Sequence, residues 1–218
     1  MTTTADFKTP QEAFWAGEFG SDYIQRNQGD RLLASNLNLF TRALHAARGI
    51  GSCIEFGANI GMNLRALQLL YPGLDAHAIE INADAAAVLG QVIPPSKVHH
   101  TSLLDFEPQQ AWDLALIKGV LIHLDPDVLG QVYDTLVAST RRYLLIAEYY
   151  SPAPVAIPYR GHQDRLFKRD FAGEIMDRHP EMQLVDYGFA YRRDPVFPLD
   201  DITWFLMERQ PASPSPSR

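Results

Sequence analysis

A single cysteine in 218 residues has nothing to pair with inside the chain. Cys53 stands in the apolar run Cys53-Ile54, which marks it as inert packing rather than a nucleophile. Positive charge is scarce. There are 19 Lys and Arg against 26 Asp and Glu, a net charge of -7, and this argues against nucleic acid as a partner because phosphate binding requires a basic face. No apolar run approaches the length a bilayer-spanning helix needs, so no membrane partner is expected. The opening Met1-Thr2-Thr3-Thr4-Ala5-Asp6 lacks the basic and apolar regions of a signal peptide, and a cytoplasmic protein is expected. No internal repeat is present. His45, His99, His100 and His179 show no ligand spacing with cysteines or acids, so no metal is expected. What remains is ordinary globular composition, 46% apolar and 21% charged, in a chain long enough for one sizeable core.

The organisation is an alternation. Residues 11–27 are rich in aromatics (Phe14, Trp15, Phe19, Tyr23) and read as a broken helix. Asp30 is placed to cap a helix running to about Ala47, with Leu32, Leu33, Leu37, Phe40 and Leu44 on one face. From Gly51 onward, strands ending near Glu55, Glu80, Thr101, Lys118 and Glu148 alternate with helical stretches such as 126–139, which implies a parallel sheet covered on both faces. Residues 151–167 read as a long loop. A helix capped by Asp170 follows, then two runs, 183–192 and 202–209, that form a terminal hairpin. Residues 1–48 are expected to be a helical lid on a ligand-binding domain spanning 49–209. The tail, 210–218, has too little apolar surface to order itself.

The most informative stretch is Cys53-Ile54-Glu55-Phe56-Gly57-Ala58-Asn59-Ile60-Gly61-Met62-Asn63, an apolar run ending in an acid, then a glycine turn, then an amphipathic helix start. Such a strand–turn–helix junction is where α/β folds hold nucleotide-like ligands. Its spacing is Gly57-x-x-x-Gly61, not the G-x-G-x-x-G of dinucleotide binders. An acid before the turn offers an acceptor, which suits a cationic amino-acid group better than a pyrophosphate. The ligand this suggests is S-adenosylmethionine. Glu80, about 20 positions past the turn at the end of a second strand, has two oxygens for the two ribose hydroxyls. Asp105 follows the third strand and could accept from the adenine amino group. Each acid alone also reads as a helix cap or a solvated turn carboxylate.

The stretch from Gly51 to about Arg209 resembles the class I S-adenosylmethionine-dependent methyltransferases. The resemblance implies a Rossmann-like, doubly wound, seven-stranded, mostly parallel sheet with a C-terminal antiparallel hairpin strand. It implies that Glu55 with Gly57, Ala58, Asn59 and Gly61 holds the methionyl part. Glu80 and Ile81 would take the ribose, and Leu104 and Asp105 the adenine. Lys118 and Gly119 would lie where the sulfonium meets the acceptor. A narrower likeness runs through Phe14-Trp15, Gly17, Phe19-Gly20, Tyr23 and Arg26-Asn27 to Lys118-Gly119-Val120-Leu121-Ile122-His123. It continues through Tyr159-Arg160-Gly161-His162, Leu166-Phe167-Lys168-Arg169-Asp170-Phe171, Asp186-Tyr187-Gly188-Phe189 and Asp200-Asp201-Ile202-Thr203-Trp204-Phe205. In these segments the chain is similar to the pseudaminic acid biosynthesis-associated methylases.

Methyl transfer to a hydroxyl or ammonium needs a base, and His123, just past the fourth strand, titrates near neutrality. Tyr149, after the fifth strand, is a second catalytic candidate, with Tyr150 lining the acceptor pocket. Tyr159, Arg160 and His162, among further basic residues to Arg169, point to an anionic small-molecule acceptor such as a sugar acid, sugar nucleotide or amino-acid derivative. Tyr23, Arg26 and Asn27 would close over the donor and complete the substrate-binding set. A nicotinamide-dependent oxidoreductase and a binding module without turnover remain open on the same fold. Monomer and homodimer are equally compatible with the chain.

Overall fold

The computed structural model describes residues 7–24, 28–161 and 165–211. Arg26, Asn27, His162 and most of the expected tail lie outside the described residues. The aromatic opening forms two short helices, α1 (Pro10–Ala16) and α2 (Glu18–Ile24). A capping box starts the first, the Thr9 hydroxyl and the Glu12 carboxylate each accepting the other's backbone N–H. Helix α3 (Asp30–Ala43) follows. Its N-cap is Gly29, with φ of 109°, rather than the expected Asp30, which sits inside the first turn where an acid favours the helix dipole. The helix stops at Ala43, short of Ala47, yet Leu44 and Ala47 remain buried.

Strand and helix then alternate: β1 (Ser52–Phe56), α4 (Met62–Leu70), β2 (Asp75–Glu80), α5 (Ala83–Leu89), β3 (Val98–His100), β4 (Trp112–Lys118), α6 (Leu129–Ala138) and β5 (Thr140–Glu148). The expected loop over 151–167 contains a small antiparallel pair, β6 (Val155–Ala156) with β7 (Phe167–Lys168). Two-residue strands carry no readable period, which is why the sequence pattern missed them. Helix α7 (Phe171–Arg178) is capped by Asp170, whose carboxylate accepts the Gly173 N–H at 2.9 Å. Strands β8 (Met182–Ala190) and β9 (Ile202–Arg209) form the terminal hairpin.

The seven strands of the main sheet order as β3-β2-β1-β4-β5-β9-β8. Neighbours among β1 to β5 are parallel, and β9 runs antiparallel to both β5 and β8. This is the class I methyltransferase sheet. Strand order reverses between β1 and β4, so the crevice outside their carboxyl ends is the topological switch point where such sheets take ligands. Alternate residues feed two cores. Cys53, Leu114, Leu116 and Leu145 pack under α3 and α4 with Leu39, Phe40, Leu64 and Leu67. Ile54, Phe56, Ile117 and Ile146 pack under α6 and α7 with Leu129, Val132, Leu136 and Ile175. Among the described residues no helix is long and apolar enough to cross a membrane.

Candidate active site

The glycine turn is built as its spacing requires. Gly57 and Gly61 have φ of 71° and 81°, and the backbone N–H groups of Gly57 and Ala58 both donate to the Ile79 carbonyl, at 2.9 and 3.1 Å. A Cβ on Gly57 would lie 2.6 Å from the Val120 side chain, so β1 and the loop after β4 close together only over glycine. Asn59 also adopts a left-handed conformation, φ 49°, its side-chain oxygen accepting the Ile60 N–H at 2.7 Å. Below the turn Glu55 is fully buried, one oxygen accepting from the Asn63 amide at 2.6 Å. Burial pushes its carboxyl up to about 8, against the opposing pull of Asn63 and Lys118.

Above the turn opens a cavity of about 580 Å³, within the range that takes a nucleoside-sized ligand. Glu80 lines it from the tip of β2, each oxygen accepting one backbone N–H, from Asn82 at 2.8 Å and Asn59 at 2.7 Å. A carboxylate has about four acceptor sites, so two remain for a diol. Ile81, Leu103 and Leu104 supply an apolar wall beside it. Asp105 does not join them. Its carboxylate is half exposed and paired with Lys8 at 2.5 Å, away from this cavity. Ser102 is the reason: its hydroxyl accepts the Leu104 N–H at 3.0 Å, a turn that sends Leu103 and Leu104 inward and Asp105 out.

At the centre Lys118 and Gly119 line the cavity beyond β4. The Lys118 ammonium makes no hydrogen bond or ion pair among the described residues. Burial lowers its pKa, while Glu55, Asp200 and Glu148 oppose that shift. His123 is buried in the turn that follows, its ring 4.7 Å from Trp15 and 5.2 Å from Tyr159. Its Nδ1 lies 2.7 Å from the Arg165 carbonyl, an acceptor only, so Nδ1 carries the proton and Nε2 keeps its lone pair. Burial lowers the pKa of His123 to about 4, leaving the ring neutral at physiological pH. Tyr149 lines the cavity, and burial first of all raises its pKa. Tyr150, one residue on, points the other way. It is exposed and tilts against Phe205 at 5.9 Å, so it does not line the acceptor pocket.

The outer wall comes from Trp15, Gly20 and Tyr23 on α1 and α2, and from Tyr159 and Arg160. The Asn82 amide holds α1 in place through the carbonyls of Trp15, Ala16 and Gly17, each at 3.3 Å. Arg160 has φ of 48°, and its guanidinium lies over the rings of Phe19 and Tyr159 at 5.9 and 5.5 Å, with no carboxylate partner among the described residues.

Three polar residues of this cavity carry no readable signal in the sequence. Asn36 and Asn63 look like ordinary polar positions on amphipathic helices. Glu148 reads only as a strand end, yet one of its oxygens accepts the N–H groups of Val120 and Leu121, at 2.9 and 3.0 Å, pinning the turn that carries His123. Burial pushes Glu148 up to about 7.

No family model matches the chain, and no curated protein matches it. Its structure does have solved neighbours. A 1,6-didemethyltoxoflavin-N1-methyltransferase from Burkholderia thailandensis, with bound 1,6-didemethyltoxoflavin and S-adenosylhomocysteine, superposes with a TM-score of 0.67 at 19% identity, covering 95% of this chain and 93% of that one. A magnesium protoporphyrin IX methyltransferase from Synechocystis, with bound S-adenosylmethionine, gives 0.65 at 14% identity over 96% and 100%. An S-adenosylmethionine-dependent methyltransferase from Leishmania major gives 0.68 at 14% identity over 90% and 81%. At these identities the likeness is one of fold: the chain has the architecture of the class I methyltransferases.

Proposed function

We propose that the chain is an S-adenosylmethionine-dependent methyltransferase whose acceptor is a small anionic metabolite: a sugar acid, a sugar nucleotide or an amino-acid derivative. The observation that carries the reading is Glu80, at the tip of β2 beside the left-handed glycine turn, lining a cavity at the switch point of a methyltransferase-ordered sheet. Two cations that make no hydrogen bond or ion pair among the described residues, Lys118 and Arg160, line that cavity and support an anionic ligand set. The narrower likeness to the pseudaminic acid biosynthesis-associated methylases stays part of the proposal. Five of its motifs reach the cavity wall, through Trp15, Gly20 and Tyr23, through Lys118 to His123, through Tyr159-Arg160, through Leu166 and through Asp200 and Ile202.

Bound there, the donor supplies a sulfonium methyl and leaves as S-adenosylhomocysteine. The protein's part is orientation and proton handling. Glu80 fixes the ribose, and the wall of Ile81, Leu103 and Leu104 flanks the base. Neutral His123 accepts the acceptor's proton at Nε2 when the nucleophile is a hydroxyl or ammonium. Its Nδ1–H bond to Arg165 and the two bonds from Glu148 to its turn hold the ring's orientation. Helices α1 and α2 roof the site and exclude water, and the stacked Arg160 meets the acceptor's anionic group.

Calorimetry with S-adenosylmethionine, S-adenosylhomocysteine and NAD tests this. The sulfur nucleosides should bind, and Glu80→Ala should weaken them by about 1–3 kcal/mol through unpaired hydroxyls. Binding of NAD alone would end the proposal. Donor binding without labelled-methyl transfer to any metabolite pool would favour a module without turnover.

A further inference from the structure

Glu148 has one oxygen more than the fold uses. It is 3% exposed at the tip of β5, and one carboxylate oxygen accepts the N–H groups of Val120 and Leu121. The other oxygen is buried and has no hydrogen-bond partner among the described residues, although the side chain lines the cavity. Leaving such an oxygen unpaired costs about 1–3 kcal/mol, which a ligand carrying a donor removes. His123 repeats the pattern on the same turn. It ends the short helix 121–123 that Glu148 pins, and it lines the same cavity. Its Nδ1–H is spent on the Arg165 carbonyl, and Nε2 makes no hydrogen bond among the described residues. This stretch of wall therefore offers two acceptors, and the protein supplies a donor to neither. A hydroxyl or amine brings the missing protons. A carboxylate brings none, and only a protonated Glu148 could meet it.

Resting on the methyl-transfer reading, we propose that the methyl group goes to a hydroxyl or amine with a second O–H or N–H beside it, the pattern of a polyol or amino alcohol: the reacting group donates to His123 Nε2, and its neighbour donates to the free oxygen of Glu148. The nucleophile's lone pair forms the bond to the methyl carbon as the C–S bond breaks. The electron pair of that bond stays on sulfur as the neutral thioether, and the nucleophile's proton passes to Nε2. The acceptor's anionic group, met by Arg160, is left unmethylated.

Wild type and Glu148→Gln test this at pH 8, where Glu148 is above its value of about 7 and ionised. Glutamine keeps a carbonyl for the Val120 and Leu121 N–H groups and puts an NH2 where the free oxygen was. The turn stays, and the acceptor becomes a donor. Each protein is given S-adenosylmethionine tritiated in its methyl group and a deproteinised metabolite extract. Label transferred by the wild type should survive mild alkali, because ethers and amines resist it whereas a methyl ester of a carboxylate releases volatile methanol. Glu148→Gln should lower that transfer about 10- to 100-fold and change the calorimetric affinity for S-adenosylhomocysteine less than about twofold. Alkali-labile label would overturn the inference. So would a variant as fast as the wild type, which would reduce Glu148 to a pin for the turn. A wild type that binds S-adenosylhomocysteine yet labels nothing would sink the methyl-transfer reading and this inference with it. The alkali test is read on the wild type alone and stands if the variant fails to fold.

Discussion

Replacing Glu55 with Gln should change how stability depends on pH, and the sign follows from burial. An unfolded chain binds a proton at this carboxyl with the ordinary value of 4.5, whereas the folded protein holds it up to about 8. Between those limits the native state binds more protons than the unfolded one, so stability falls as pH rises through the window. At about 1.4 kcal/mol per pH unit, from 4.5 to about 8, the loss attributable to Glu55 reaches about 5 kcal/mol. That is a large part of a typical domain's stability. Glutamine keeps a carbonyl to accept from Asn63 but has no proton to lose. In urea denaturation at pH 5, 6.5 and 8, Glu55→Gln should therefore match the wild type at the acid end and exceed it increasingly toward pH 8. Glu148, held near 7 by the same cause, sits in both proteins and cancels in the difference. Parallel curves would refute the reasoning, because they would mean that Glu55 is already ionised against Lys118 in the free protein. The same carboxyl gives a second readout. Docking an ammonium against it should expel close to one proton at pH 7, visible as a binding enthalpy for S-adenosylhomocysteine that varies with the ionisation enthalpy of the buffer and ceases to vary in Glu55→Gln.

His123→Ala should lower methyl transfer by about 10²–10⁴-fold while leaving S-adenosylhomocysteine affinity unchanged. With the His123 pKa held near 4, the wild-type rate should show no His-linked loss from pH 8 down to about 5 and fall only as the ring protonates below that. A rate step near 6.5 that vanishes in the variant would show a solvated ring instead. Gly57→Ala should destabilise the fold by about 1–3 kcal/mol, measured by thermal unfolding. It forces φ of 71° on an L-residue and places a methyl 2.6 Å from Val120.

Much of the site's frame was legible because strand tips are simple to read. Runs such as Cys53-Ile54-Glu55 and Ala78-Ile79-Glu80 are apolar on both faces and end in an acid, which places a carboxylate at the sheet edge whatever the rest of the chain does. The same rule failed at Asp105. Strand β3 has only three residues, and the chain has already turned through Ser102 before the acid arrives. Tyr149 and Tyr150 follow the end of β5 and part there, Tyr149 lining the cavity and Tyr150 lying exposed against Phe205. Asn36 was unreadable for a different reason. The helical period puts it on the apolar face with Leu32, Leu33 and Phe40, but a single polar residue there carries no chemistry of its own to read, and only the fold shows that it lines a cavity. Glu148 has nothing local to mark it, since its partners are backbone groups 27 and 28 residues away.

A sheet edge tipped with acids is an unpromising place for the proposed anionic acceptor until the protons are counted. Taken at face value, Glu55, Glu148 and Asp200 around Lys118 make the centre of the site negative, which suits a sulfonium and repels a carboxylate or phosphate. Burial changes that balance. Glu55 and Glu148 titrate near 8 and 7, so at neutral pH the first is mostly uncharged and the second about half so. Lys118 then keeps Asp200 as its remaining acidic neighbour, and Arg160, stacked on Phe19 and Tyr159, has no carboxylate opposed to it among the described residues. The same buried carboxyls can ionise when a cation docks against them and stay neutral when one does not. This lets one cavity hold a positively charged donor at the tip of β1 without building a standing repulsion against an anion beside β4 and β5.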